Sequence, residues 1–326
     1  MELTGAKYQR NLTTWVEFIL LGFSDIPELQ RFLFWIFLIM YMIILLGNSL
    51  IIIVTKVDSC LQTPMYFFLR NFSTLEICYV SVTVPRLLAD LCRQNRNISF
   101  LACATQMFFF LVLGATECFI LTAMSYDRYV AICNPLLYPL IMNTRLCMQL
   151  AIGCWLSAVP LELGFTYLIF SQHFCGPNQL DHFFCDVPPV LKLACGNTFM
   201  IEMLLYVVAF IVATVPFMLI LGSYVKIIST ILKLPSATGR AKAFSTCSSH
   251  LMVVGLFFGS AILTYMRPKS SHSVGVDRLV SLFYTIVTPM FNPMIYCLRN
   301  KDVMVALKKF FTKLIVLPFT SIILKS

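Results

Sequence analysis

The sequence predicts an all-α membrane protein, a seven-transmembrane helix bundle followed by a short amphipathic cytoplasmic helix. Three observations predict it. Of 326 residues, 59% are hydrophobic and only 12% charged, and a soluble chain carries roughly twice that charged share. The mean hydropathy is +0.84. Finally, the apolar residues fall into seven long continuous runs, each able to cross about 30 Å of hydrocarbon as a helix. A membrane barrel would instead show short alternating strands.

The runs are Phe32–Thr55, Met65–Leu88, Phe100–Ile132, Leu146–Phe170, Met200–Ile228, Phe244–Met266 and Leu279–Leu298. They divide the chain into a polar, loose N-terminal tail (1–30), a helical domain (31–299) and a C-terminal amphipathic helix with tail (300–326). From Lys301 to Lys313 basic and apolar residues alternate, which suits a helix lying on the membrane face. Leu314–Leu324 is apolar but too short to span. An odd number of spans puts the termini on opposite sides. Lys56, Arg145, Lys226, Lys233, Arg240, Lys242 and the basic tail outweigh Arg93, Arg96, Lys192, Arg267, Lys269 and Arg278 on the other side. The bias is modest and favours an outside N-terminus and a cytoplasmic C-terminus. The net charge of +9 thus points to lipid headgroups rather than nucleic acid. No cleavable leader is recognisable at the N-terminus. Asn11-Leu12-Thr13 is a glycosylation sequon, and Asn97-Ile98-Ser99 is a second one close to the membrane.

The third run ends in Met124-Ser125-Tyr126-Asp127-Arg128-Tyr129-Val130-Ala131-Ile132-Cys133. Charge in hydrocarbon is expensive, so an acid beside a base belongs at the water interface. Asp127 can hold the guanidinium of Arg128 in one state and release it to a cytoplasmic partner in another. The blander account is a pair of charges marking a helix end. Glu76 and Glu117 lie deep in apolar sequence and each must be protonated, hydrogen-bonded or matched to a cation. Asn48, beside Gly47, needs an amide partner and should face the bundle. Glu162 could face either a pocket or the headgroups. Trp155 and His250 read best as packing and helix-contact residues. Pro293 removes a backbone bond from the last span, and Asn292 can satisfy the freed group or the Glu76 carboxyl. Of thirteen cysteines, Cys175, Cys185 and Cys195 share one long outer loop and Cys103 opens the third span on the same side. These suggest two bridges of open connectivity. The other cysteines sit in apolar runs and need no chemistry.

Five strings, in order and correctly spaced, carry a family resemblance: Gly47-Asn48, Pro64-Met65-Tyr66-Phe67-Phe68-Leu69, Met124–Cys133, Lys242–Leu251 and Pro289–Asn300. Together they resemble the olfactory receptors, a family of rhodopsin-like G-protein-coupled receptors, here of the class II type. The likeness covers about residues 15–312. It implies disulfides Cys103–Cys185 and Cys175–Cys195. It places Glu76 where the superfamily carries the acid of a buried Na⁺ site, with Asn48, Glu117 and Asn292 in the same polar network. It assigns Asp127, Arg128, Tyr129, Tyr224, Lys242, Asn292, Pro293 and Tyr296 to activation and G-protein coupling.

The expected function is that of a multi-pass plasma-membrane receptor that binds a small volatile odorant and drives cyclic AMP production through a heterotrimeric stimulatory G protein, with no cofactor. Position on the outer halves of the spans selects Phe110, Leu111, Gly114, Ala115, Val208, Ala209, Val212, Phe258, Ala261, Ile262, Tyr265 and Thr285 as the pocket. This apolar lining suits a weakly polar ligand. A rhodopsin-like receptor for a lipid or peptide is the nearest rival. A transporter or channel would need a polar pathway and repeat symmetry. No nucleophile–base pair or metal cluster supports an enzyme.

Overall fold

The computed structural model describes residues 17–23, 26–93, 96–175, 177–233, 235–265 and 274–323. The side chains of residues 242, 246, 263–265, 274, 298 and 313–323 fall outside the description. Asn11 therefore lies outside it, as do the side chains of Lys242 and Tyr265.

Seven long helices follow the seven apolar runs: α1 (Pro27–Val57), α2 (Pro64–Cys92), α3 (Phe100–Cys133), α4 (Thr144–Phe170), α5 (Phe199–Leu232) and α6 (Ala237–Tyr265), with α7 made of Val274–Leu282, a π-turn Phe283–Val287 and Thr288–Arg299. Local chemistry sets several ends. Pro27 and Pro64 open α1 and α2, where a missing N–H costs nothing. Ser99 caps α3 by accepting from the Ala102 amide, and Asn143 caps α4 by accepting from Leu146. Six of the seven are long and apolar enough to cross a membrane. The exception is α2, which carries Arg70, Glu76, Arg86 and Asp90. It packs between α1 and α3 and also touches α4 and α7, so Glu76 and Asp90 are buried in protein while Arg70 and Arg86 are half-buried.

α3 is the hub, contacting α2, α4, α5 and α6. The main apolar core runs the length of the bundle from Phe37 and Leu87 to Tyr224 and Val303. A close approach joins α1 to α7: a Cβ on Gly47 would meet the Pro293 ring at 3.1 Å. The Gly47–Pro293 contact explains why two of the quoted strings meet. We expect Gly47→Val to force the helices apart at about 1–3 kcal/mol, read as a lower melting midpoint of the detergent-purified protein. An unchanged midpoint would contradict this packing.

Two segments differ from the sequence expectation. The N-terminal stretch is not loose throughout: β1 (Glu17–Leu20) pairs antiparallel with β2 (Asn97–Ser99) and parallel with β3 (Gln179–Leu180). Phe18 and Leu20 are fully buried beneath this sheet, and burial of these alternate side chains holds the segment in place. At the other end α8 spans Lys301–Ile323, ten residues beyond the expected limit at Lys313. Residues 314–323 of the apolar stretch continue the helix, through Pro318. Asn300 caps α8, accepting from the Asp302 and Val303 amides. Tyr66 donates to Asn300 and Asp302, and Lys309 pairs with Asp58 at 3.4 Å, tying α8 to the inner ends of α1 and α2.

Candidate functional site: a pocket and its signalling core

The outer end is closed by the loop 171–198. Two disulfides fix it, Cys103–Cys185 and Cys175–Cys195, each with Cα atoms 5.5 Å apart. Gln106 of α3 accepts from the Cys185 amide at 3.0 Å and donates to Val82 O of α2 at 3.0 Å. The bridge to α3 carries Phe183 and Phe184 into the bundle, where both are essentially fully buried. Phe184 stands 4.9 Å from Phe110, which in turn meets Tyr79 at 5.2 Å and Tyr284 at 6.1 Å. The loop also runs along α7. Asp181 pairs with Arg278, His182 Nε2 lies 2.9 Å from Ser281 Oγ, and Tyr284 OH donates to Asp186 at 3.1 Å.

Burial pushes the Asp186 carboxyl up, against its bonds from the Val187 amide and Tyr284. Burial, and then the neighbouring Arg278 guanidinium, push His182 down to about 3. Between its ordinary value near 6.5 and about 3, the unfolded chain binds a proton that the folded loop refuses, so acid costs stability there. The slope is up to about 1.4 kcal/mol per pH unit. Asp186 acts in the opposite sense, since its folded form keeps a proton longer. We therefore expect the melting midpoint to fall between pH 7 and pH 5, and His182→Gln to flatten that fall. An identical slope in the variant would remove His182 from the account.

Below this lid the expected pocket residues come partly together. Phe110, Ala115, Phe258 and Thr285 are buried, and Thr285 Oγ1 donates to Ser281 O at 2.7 Å. Ala115 and Val212 share an apolar cluster with Ala158 of α4. Phe258 meets Phe217 with ring centroids 5.1 Å apart, the rings tilted by 41°. The space beside Gly114 is open. Leu111, Val208, Ala209 and Ala261 are half-buried, while Ile262 is 44% exposed and sits at the bundle's edge. π-turns interrupt α5 at Phe210–Thr214 and α7 at Phe283–Val287, bracketing Val212 and Thr285. Such turns recur at functional sites. Tyr79, Phe184 and Tyr284 were not singled out from sequence. Phe184 was findable, since it precedes Cys185, which the bridge brings to α3.

At mid-depth, Glu76 and Asn292 are fully buried and Glu117 is 2% exposed. Asn292 Nδ2 donates to Glu76 Oε1 at 2.5 Å, and the Glu76 and Glu117 carboxyls face each other. Glu76 Oε2 has no donor and Asn292 Oδ1 none either. Such a buried acid pair needs a shared proton or a cation. The residues fit a Na⁺ in chemistry, with two carboxyls and an amide oxygen available. Asn48 is buried but turns to its own helix, donating to Ile44 O at 3.0 Å.

At the inner end Asp127 is fully buried and binds Arg128 through Nε at 2.9 Å and through Nη2. Tyr138, from the turn after α3, donates to the second Asp127 oxygen at 2.8 Å. Arg128 is thus occupied, and Asp127 is oriented by a phenol. Tyr129 is half-buried against the core. Tyr224 of α5 and His250 of α6 share a 2.8 Å hydrogen bond. Tyr296 packs edge-on to Phe72, and its buried hydroxyl has no partner. Pro293 lies against Gly47.

A helical bundle with an arginine held at the inner end of its central helix, a disulfide-pinned outer lid and a polar middle layer defines a rhodopsin-like G-protein-coupled receptor. Comparison with known proteins gives the particular family. The family model described as olfactory receptor matches residues 37–314. Human olfactory receptor 10AG1 is 60% identical over 92% of this chain and all of its own length. Human olfactory receptor 10A7 is 55% identical over 93% of this chain and 96% of its own. Human olfactory receptor 5A2 is 48% identical over 92% and 93%. The chain belongs to the olfactory receptor family, whose members are multi-pass membrane receptors and not enzymes.

Proposed function

We propose that this receptor binds a small volatile odorant in the outer half of the bundle and activates a stimulatory G protein to raise cyclic AMP. Its N-terminus is extracellular and its C-terminus cytoplasmic. The observation that supports this most is the arrangement at Arg128: a guanidinium at the inner mouth, retained by one carboxylate and one phenol. Odorant favouring the arrangement in which that retention is broken shifts a pre-existing equilibrium. Lys242, by its position in the sequence, belongs to the inner end of α6 that borders the cavity that opens. The pocket lies under Phe184, among Phe110, Ala115, Val212, Phe258 and Thr285. Tyr265 belongs to it by position in the sequence. Glu76, Glu117 and Asn292 hold a proton or Na⁺ that favours the resting arrangement.

The test is cyclic AMP output from cells displaying the receptor together with an olfactory-type G protein, across a broad panel of volatiles. A response confined to one odorant class supports the reading. Silence with the protein at the surface shifts the reading to a non-volatile ligand.

A further inference from the structure

The bundle-facing stripe of α4 runs from Cys147 to Ile169 at helical spacing. Its inner two-thirds carry only small apolar residues and cysteine. Its outer third carries Glu162 and Thr166, one turn apart on the same face. Glu162 is 5% and Thr166 7% exposed, so this acid faces the bundle and not the headgroups. Among the described residues neither side chain has a partner. Thr166 Oγ1 is buried with no hydrogen bond, and the Glu162 carboxyl makes no hydrogen bond or ion pair with a described residue. Buried polar groups are paired as a rule, because each unpaired one costs about 1–3 kcal/mol. Two orphans side by side need a common explanation.

Their surroundings supply it. One turn inward, Ala158 packs on Ala115 of α3 and against Val212 of α5. One turn outward, Phe165 belongs to a separate cluster around Cys103 and Cys185. By its place along α4, Glu162 stands at the level between the two clusters. It is an electrostatic neighbour of Cys118 on α3. Cys118 lies one turn from Gly114, whose own flank is open. The carboxyl and hydroxyl thus border the apolar wall assigned to the odorant, and they alone offer it unspent hydrogen-bonding capacity from α4.

We infer that Glu162 and Thr166 form the polar end of the ligand pocket and select small apolar molecules bearing a protic head, an alcohol or a primary amine. This inference rests on the receptor reading above. A hydroxyl or ammonium hydrogen donated to Glu162 satisfies the carboxyl, and Thr166 pairs with the same head. An aldehyde or alkane leaves the carboxyl without a donor of the ligand's own. Discrimination by a site built to bond a hydroxyl or amine exceeds discrimination by apolar fit alone.

The experiment compares straight-chain alcohols, amines, aldehydes and alkanes on the displayed full-length receptor, wild type against Glu162→Gln, Glu162→Leu and Thr166→Val. The wild type should respond to alcohols and amines at lower concentration than to aldehydes or alkanes. Glu162→Leu and Thr166→Val should each weaken the protic ligands by about tenfold, the equivalent of one hydrogen bond. Glu162→Gln, which preserves size and an accepting oxygen, should keep the alcohol response and lose the amine response. A uniform shift of all four classes in Glu162→Leu, with Glu162→Gln unchanged for amines, overturns the assignment. A wild type driven only by aldehydes or alkanes also overturns it and leaves the receptor reading standing. Silence of the displayed wild type to all four classes overturns it too, and the broad panel then decides the receptor reading separately.

Discussion

Replacing Arg128 with alanine should abolish the odorant-evoked rise in cyclic AMP while leaving the receptor at the cell surface. The side chain contributes little to the fold, since its described bonds go to its own neighbour Asp127. Its loss leaves the Asp127 carboxylate with the Tyr138 hydroxyl alone. Under the proposed function its value lies in the partner it reaches when freed. Charge-assisted hydrogen bonds contribute about 1.5–3 kcal/mol each, so losing two or more from a G-protein contact costs a factor of a hundred or so in coupling. The companion change has the opposite sign. Tyr138→Phe removes one bond that orients Asp127, weakening the retained arrangement by about 1 kcal/mol. Basal cyclic AMP should rise about fivefold if that arrangement dominates at rest. A normal response in Arg128→Ala at matched surface staining would sink the account of how the signal leaves the bundle.

Cys185→Ser should remove the receptor from the cell surface, judged by antibody staining of intact cells. The bond closes a separation of 82 residues, and loss of such a bridge costs about 2–5 kcal/mol. That is a large part of the about 5–15 kcal/mol that holds a typical fold. It also frees the Gln106 contact and the Phe183–Phe184 wedge. Cys175→Ser opens a separation of only 20 residues. Two halvings of length reduce the entropic part by about 1 kcal/mol, so this variant should retain measurable surface signal. Equal loss in both would show that the lid, rather than the tie to α3, limits folding.

The bundle was legible because hydrocarbon imposes length and apolarity on each span. Expected and observed spans overlap throughout and share the start of α3 at Phe100, while α1, α6 and α7 begin five to seven residues earlier than the apolar runs. α2 was read from the run Met65–Leu88, although it carries Arg70, Glu76, Arg86 and Asp90. What escaped was set by distance. β1 is four residues long, and its partners come about 80 and 160 positions later, so no local pattern marks it. The Phe110–Phe184–Tyr284 contacts join three separate segments and are invisible to periodicity. Glu162 was within reach. It keeps the phase of Ala158, Phe165 and Ile169, and that phase alone places it inward. The partner of Asn48 could not be chosen from sequence, because an amide in a helix can always turn to its own backbone.

The three-stranded sheet at the outer end has a consequence for how the molecule is made. β1 is synthesised first and lies at the centre of the sheet, but β2 follows only after two helices and β3 only after four. Until β2 is made the strand has no one to pair with, and contacts this distant in sequence close slowly. The outer cap is therefore a clasp closed in two stages. Its parallel pairing with β3 can form only when the loop after α4 has been laid back over β1, so a completed sheet reports that the first four helices have come together.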